Sequence, residues 1–288
     1  MFALKPSVVI KKTKIYYKKC HIILKNDGII RLIMRIFAFV TSTTLQPLDP
    51  DHRYRFKIHT SKNKLKNRTN YTASPNPYHV IYVDPSRISH RLTPNNRGTV
   101  GLLGVRYCGL GLIKSGDWDN LQYYESVKDV PQISYFTERY SENKSPTDTD
   151  LYNFLINHTQ RTNNRMSIDF DSVKSYANQY CNNYDKLFEQ ISERGYIQGH
   201  KSVKAAPEAQ HADISDRLEV LVLIDRSGKI RLYDGQHRFG IARALGIEIP
   251  VQVLCRHEQW QKYRDYIYRN RHCMFNQESL THPDLSDI

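Results

Sequence analysis

The stretch that decides the fold covers residues 221–257 and reads LVLIDRSGKIRLYDGQHRFGIARALGIEIPVQVLCRH. An apolar run at 221–224 precedes the turn-forming segment at 225–228 and a second strand is predicted at 229–233, so the pattern predicts a β-hairpin. A helix is predicted over 236–245, because apolar residues recur there at helical spacing and Gly246 follows at the usual end position. A third strand is predicted over 249–254. This order of elements is typical of an α/β domain.

The link between the second strand and the helix carries the chemistry of this stretch. It reads Asp234-Gly235-Gln236-His237-Arg238 and is called the DGQHR turn below. A helix N-terminus leaves N–H groups without intrahelical acceptors and so favours anions, and the guanidinium of Arg238 adds a forked cation. The five residues are therefore predicted to bind a ligand or phosphate group. The alternative is structural, with Asp234 capping the helix and His237 serving as a core imidazole.

The DGQHR turn and its surroundings resemble the ParB/sulfiredoxin superfamily, whose members use a Gly-x-x-Arg box to hold nucleotide phosphates. The nearest version is the Asp-Gly-His-His-Arg of the free serine kinases. Gln236 stands where sulfiredoxin has its reactive cysteine, so the resemblance does not extend to reduction of a sulfinic acid. Gln236 and His237 also replace the Glu-Arg of ParB. The resemblance covers residues 78–92 and 184–267 and implies a ParB/sulfiredoxin-like mixed sheet.

What the resemblance implies about function is a nucleotide, with magnesium, or a phosphorylated small molecule bound at the turn. A small-molecule phosphotransferase is its most specific form, with Arg238 and His237 neutralising developing charge. Six of the chain's 13 glycines fall within 98–116, just before Asp117, Trp118 and Asp119. The two carboxylates are candidates for a metal ligand or general base, and the indole for stacking a substrate. The structural alternative makes Trp118 a core residue and Asp119 a helix cap.

Charge divides the chain into two parts. Residues 1–70 contain 16 Lys/Arg and 3 Asp/Glu, whereas 71–288 contain 26 of each. We therefore expect a basic N-terminal extension over 1–77, with a linker or mobile arm over 42–78. Nucleic acid or an anionic membrane surface would contact residues 1–70. The alternative function is accordingly a DNA-associated ParB-like adaptor or nuclease.

The rest of the chain is predicted as one ParB/sulfiredoxin-like domain over 78–270, with a polar tail over 271–288. A first strand is expected at 79–83 and an insertion at 93–183, helical over 121–180. Helices are predicted within and after the insertion. Thr147 and Asp150 form a capping box, and apolar residues at 184–191 recur at helical spacing with Gly195 at the end. A final helix is predicted with Trp260, Tyr263 and Ile267 in the core.

Five scattered cysteines without a Cys-x-x-Cys pair predict neither a disulfide scaffold nor a structural zinc site, and favour a reducing cytoplasm. The apolar run at 29–40 is about twelve residues long, whereas a membrane-spanning helix needs about twenty. Arg31 and Arg35 interrupt it. This run has two interpretations. It is either the peripheral membrane contact of a cytoplasmic protein or a short terminal helix packed on the body.

Overall fold

The computed structural model describes residues 53–163, 170–196, 218–270 and 281–288 of the chain. Within them, seven strands form one mixed sheet: β1 (Val80–Val83), β2 (His90–Leu92), β3 (Leu112–Lys114), β4 (Tyr124–Ser126), β5 (Val220–Ile224), β6 (Ile230–Asp234) and β7 (Ile249–His257). The helices are α1 (Arg53–Asn70), α2 (Val105–Cys108), α3 (Pro131–Tyr140), α4 (Asp150–Asn163), α5 (Phe170–Arg194), α6 (Gln236–Leu245) and α7 (Glu258–Asn270). The chain is therefore an α/β protein, as predicted.

The strands follow the order β1-β7-β5-β6-β2-β4, and β3 also pairs with β7. The antiparallel β5–β6 pair confirms the predicted hairpin, and β1 confirms the predicted first strand. β7 runs parallel to β5 and antiparallel to β1, while β2 runs parallel to β6. Because β2 lies beside β6, the residues that follow β2 can reach the DGQHR turn.

Apolar side chains cover both faces of the sheet. Along β5, Val220, Val222 and Ile224 belong to one core with α6, and Leu221 and Leu223 belong to another core with α1 and α2. The alternation follows the two-residue period of a strand. Burial on both faces explains why β5 reads as a continuous apolar run.

The insertion predicted at 93–183 is only partly separate from the sheet. It supplies helices, as expected, but also strands β3 and β4, which pair with β7 and β2. The cap of α4 is Thr149 rather than Thr147, since the Thr149 hydroxyl accepts from the N–H of Tyr152 at 3.3 Å. α5 ends before Gly195 as predicted and begins earlier than the apolar spacing indicated.

Residues 53–70 are not the linker that their composition predicted. They form α1, whose Phe56, Thr60 and Asn67 are buried. The side chain of Asn63 donates to the carbonyls of Cys108 and Leu110 at 2.7 and 3.0 Å. The compact unit therefore begins at Arg53 instead of residue 78.

The final residues also differ from the predicted polar tail. Within Thr281–Ile288, Asp284 is 1 % exposed and forms ion pairs with Arg256 and Arg264, both buried. The indole N–H of Trp260 donates to the same carboxylate at 2.9 Å. This buried network anchors the C-terminal segment to β7 and α7. On α7, Trp260 and Ile267 are core residues as predicted, whereas Tyr263 is 39 % exposed.

No helix within these described ranges has the length and apolarity needed to cross a membrane. The predicted short helix at 29–40 lies outside the described residues, and so does most of the basic extension.

Candidate functional site

The DGQHR turn lies where β6 ends and α6 begins, as predicted. Its position is fixed by Tyr233, a buried residue whose hydroxyl donates to the carbonyl of Leu102 at 2.9 Å. Gly235 follows with φ 85°, in the left-handed region. A Cβ at this position would lie 3.0 Å from Cγ2 of Val220, so both backbone conformation and packing favour glycine.

The first turn of α6 presents its N–H groups at a partly exposed surface. The earliest helical hydrogen bond runs from the N–H of Phe239 to the carbonyl of Gly235, at 3.0 Å. The N–H groups of Gln236, His237 and Arg238 precede it and belong to the set that no helix satisfies internally. The N–H of Gly235 is already used, because it donates to Oδ1 of Asp234 at 2.9 Å. Asp234 therefore does not cap the helix.

Two arginines that the sequence analysis missed converge on this turn. Arg91, on β2, donates to the side-chain oxygen of Gln236 and to Glu125, the latter at 2.7 Å. Arg97 follows β2, and its Nη1 lies 4.0 Å from Oδ2 of Asp234. Parallel pairing of β2 with β6 brings both to the end of β6. A single sequence does not reveal which strands pair, so nothing in it indicated that these two arginines lie beside the turn.

Arg97 is held close to the turn but is only partly satisfied. Its Nη2 donates to the carbonyl of Tyr233 at 2.5 Å, and its guanidinium lies 4.2 Å from the centre of the Tyr233 ring. Its Nε is buried and has no hydrogen-bond partner among the described residues. A buried donor without an acceptor is costly, so the protein groups around Arg97 do not satisfy its side chain fully.

Arg238 contacts protein groups instead of standing free beside the turn. Its Nη1 donates to the carbonyl of Leu218 at 2.9 Å and to the hydroxyl of Tyr196 at 3.2 Å. The same atom lies 3.9 Å from the carboxylate of Glu219, whose side chain is 6 % exposed. Arg238 thus stabilises the start of β5, in addition to any contact with a ligand.

His237 does not supply positive charge. Burial, with a smaller contribution from the charge of Arg238, lowers the pKa of His237 to about 4. Its Nε2 contacts the hydroxyl of Tyr184, which in turn donates to the hydroxyl of Tyr180 at 2.6 Å. At neutral pH the imidazole is uncharged, so the expectation that it would neutralise developing charge is wrong.

The ionic side chains around the turn are balanced in formal charge. Arg91 faces Glu125, Arg97 faces Asp234 and Arg238 faces Glu219. Any preference for an anion must therefore come from directed N–H and guanidinium donors and from the helix N-terminus, since the six side chains have no net charge.

The residues predicted to assist the turn lie elsewhere. Asp117 and Asp119 both bind Nη2 of Arg226 at 2.7 Å, in the β5–β6 hairpin loop at the other end of β6. Burial raises the pKa of Asp119, but hydrogen bonds from the side chain and backbone of Arg226 outweigh it and hold that pKa below its usual value. These carboxylates hold the 115–119 loop against the hairpin. They lie away from the DGQHR turn.

Trp118 is a core residue. It is 3 % exposed, and its indole N–H donates to the carbonyl of Lys114 at 3.1 Å. Its ring therefore has no free face for stacking a substrate, and the structural alternative holds for this residue.

Carboxylates beside the turn are Asp234, Glu125 and Glu219, with side chains 44, 32 and 6 % exposed. No group of three or more His, Cys, Asp or Glu residues suited to a metal occurs among the described residues. Asp234 is the most exposed of the three carboxylates and lies within the turn itself.

Comparisons with protein-family models, with curated proteins and with solved structures found no match for this chain. The resemblance to the ParB/sulfiredoxin superfamily accordingly still depends on the residues of the DGQHR turn and its flanking elements.

Proposed function

We propose that the DGQHR turn binds the phosphate groups of a nucleotide or of a phosphorylated small molecule. The observation that carries the proposal is the convergence of two arginines from the β2 region on the DGQHR turn. Free N–H groups at a helix start and planar guanidinium groups together match the directions of phosphate oxygens. The Arg97 side chain is 27 % exposed, so part of its guanidinium is accessible to a phosphate group.

Magnesium is part of the proposal because of Asp234. A half-exposed carboxylate within a phosphate site repels the ligand unless a cation lies between them. Mg²⁺ is usually held by one or two carboxylates together with substrate phosphates. We expect Asp234 to be the protein ligand of the ion and the nucleotide to bring the other oxygens.

Phosphoryl transfer is the further step of this proposal, and it follows from the resemblance to free serine kinases. It requires a carboxylate near the phosphate to take the proton of the acceptor hydroxyl. Asp117 and Asp119 lie at the other end of β6, on Arg226, and are not proposed for this role, and Asp234 is assigned to the metal ion. The ParB/sulfiredoxin-like fold is proposed on the same grounds. The part that this chain would share with the superfamily is the β5–β6 hairpin, helix α6 and strand β7.

The test is calorimetric titration of the full chain with ATP, ADP and CTP, each with magnesium and with EDTA. We expect saturable binding of at least one nucleotide that weakens at least tenfold when Asp234→Asn removes the metal ligand or EDTA removes the ion. Production of ADP in the presence of free serine would support transfer. Absence of heat with every nucleotide would reject the function.

A second candidate function is nucleic-acid binding, and helix α1 favours it. The 18-residue helix contains seven Lys/Arg and no Asp/Glu. One face is fastened to the body, since Asn67 donates to the carbonyl of Gly111 at 2.7 Å. Elsewhere on the helix Lys57, Lys62 and Lys66 are exposed, and Tyr54 is 66 % exposed. Cations interleaved with exposed rings suit a single-stranded backbone.

This candidate is tested by fluorescence anisotropy with labelled oligothymidylate across a salt series. Replacing Lys57, Lys62 and Lys66 by Gln should lower the slope of log affinity against log salt by about 2, at about 0.7 per lost phosphate contact. The matched control replaces the exposed Lys128, Lys174 and Lys186, on other elements, by Gln. Equal slopes for the two triple variants would reject α1 as the contact surface. Binding to phosphatidylserine vesicles but not to DNA would favour a membrane instead.

A further inference from the structure

A cleft of about 850 Å³ lies at the opposite end of β6 from the DGQHR turn. The β5–β6 loop, the segment between β1 and β2, the start of α7 and residues 281–283 surround it. Its volume is within the range of small-molecule sites. Six of its sixteen lining residues are Arg, Lys or His and none is Asp or Glu. The composition of this wall favours an anion.

Two of these cations are available to a ligand. Arg226 is already bound by Asp117 and Asp119, and Arg231 donates to Oδ2 of Asp225 from Nε and Nη2 at 3.2 and 3.0 Å. Arg87 and Lys229 are exposed, and neither has an ion pair within 4.0 Å among the described residues. They are the charged groups that an incoming anion would meet.

His90 adds a fixed neutral donor to the same wall. Its Nδ1 lies 3.1 Å from Nη1 of Arg231 and 2.8 Å from the hydroxyl of Ser89. Arginine can only donate, so Nδ1 must be the acceptor and Nε2 must carry the proton. Burial, followed by the charges of Arg231 and Lys229, lowers the pKa of His90 and supports the neutral form. The imidazole thus offers one N–H to a ligand.

The cleft also has an apolar side. Tyr263 is 39 % exposed and Leu121 is 54 % exposed. Tyr263 is supported from behind by Trp260, with ring centroids 5.2 Å apart. The hairpin loop packs directly on that indole, because a Cβ at Gly228 would lie 2.4 Å from a ring carbon. The lining of the cleft therefore contains an aromatic surface as well as groups that attract negative charge.

We propose that this cleft binds a small aromatic anion, a planar ring carrying a carboxylate, sulfonate or phosphate. The ring packs on Tyr263 and Leu121, and the charged group accepts hydrogen bonds from Arg87, Lys229 and His90. The site is independent of the DGQHR turn, since the hairpin loop and the turn lie at opposite ends of β6.

The probe for the test is 8-anilinonaphthalene-1-sulfonate, with N-phenyl-1-naphthylamine as its uncharged counterpart, titrated by fluorescence into the full chain. The double variant R87Q/K229Q should bind the sulfonate at least tenfold more weakly and the neutral compound unchanged. The control variant K128Q/K186Q, also exposed lysines, should match the wild type. Replacing Tyr263 by Ser should weaken both probes.

Equal sulfonate affinity in R87Q/K229Q and the wild type would overturn the proposal, as would tighter binding of the neutral compound than of the sulfonate. The variant Arg97→Gln should leave sulfonate binding unchanged. Loss of sulfonate binding in that variant would place the probe at the DGQHR turn and would also reject a separate cleft site.

Discussion

The two ends of β6 present positively charged residues in different settings. At the DGQHR turn, three arginines each face a carboxylate, and the anion-binding capacity comes from the directions of N–H and guanidinium groups. At the hairpin end, the carboxylates hold Arg226 and Arg231, while Arg87 and Lys229 remain exposed beside an apolar wall. The first arrangement suits a ligand with several oxygen atoms and a metal ion. The second suits a single charge attached to a ring.

The comparison shows that charge counted along a sequence is a poor guide to a binding site. Most of the basic side chains near the two ends lie beside partners that the fold brings together. What distinguishes a structural arginine from an available one is the carboxylate or carbonyl opposite it. The predictions below change residues at one end of β6 or the other and compare the effects on stability and on nucleotide binding.

The largest expected effect is on stability at the hairpin end. Replacing Asp284 by Ala leaves Arg256 and Arg264, 2 and 0 % exposed, without their shared carboxylate. An uncompensated buried charge should reduce the free energy of unfolding by about 3–5 kcal/mol. Urea denaturation measures it, with the exposed Asp129→Ala as control. A loss below about 1 kcal/mol would mean that the C-terminal segment is not anchored by this network.

The second prediction concerns pH and the DGQHR turn. The folded-state pKa of His237, about 4, lies below the ordinary value of 6.5, so the unfolded chain binds the proton more readily. The stability contributed by neutral His237 is present above about pH 6.5 and is lost as the pH falls towards 4, by roughly 3 kcal/mol in all. His237→Gln should remove this part of the pH dependence of unfolding. The exposed His158→Gln should retain it, and identical curves for both variants would contradict the assignment.

The third prediction separates the two ends by nucleotide affinity. Arg97→Gln removes charge-assisted hydrogen bonds worth about 1.5–3 kcal/mol, so nucleotide binding should weaken about tenfold to a hundredfold. Arg87→Gln, the same change at the hairpin end, should alter it less than twofold. Arg238→Ala is a poorer probe, because it also removes the cation beside the buried carboxylate of Glu219. Equal nucleotide affinities for the Arg97 and Arg87 variants in calorimetry would contradict the assignment of nucleotide binding to the DGQHR end of β6.

The smallest effect is expected from the two acidic residues first suspected of catalysis. The double variant D117N/D119N loses the contacts that hold the 115–119 loop to Arg226. Because Arg226 lies at the surface, loss of these ion pairs should lower the free energy of unfolding only slightly. Nucleotide affinity should stay within twofold of the wild type. A loss of nucleotide binding with stability intact would restore these carboxylates to the site.

Local patterns were enough to predict the central elements of the fold. Apolar spacing and turn residues within a few positions predict the β5–β6 hairpin, helix α6 with Gly246 at its end, and strand β1. The five residues of the DGQHR turn were placed correctly for the same reason. Their contacts were not, since the neutral state of His237 depends on burial against Tyr184, far away in sequence.

The errors have one physical cause. Helix α1 is fastened by Thr60, Asn63 and Asn67, polar side chains that bond to the backbone of the glycine-rich segment, so its buried face has no apolar periodicity to detect. Asp284 looks like a tail residue until Arg256 and Arg264 are brought beside it. Arg91 and Arg97 acquired a role only through the pairing of β2 with β6. In each case a correct prediction required knowledge of a contact between residues far apart in the sequence.

The most direct test of phosphate binding at the turn uses the glycines at the two ends of β6. The full chain, labelled with ¹⁵N-glycine, contains only 13 glycines, of which Gly235 lies in the DGQHR turn and Gly228 in the hairpin loop. We predict that magnesium and ATP shift the amide resonance of Gly235 and leave that of Gly228 in place. An unchanged Gly235 resonance at saturating nucleotide, or a shift of Gly228 alone, would contradict the account.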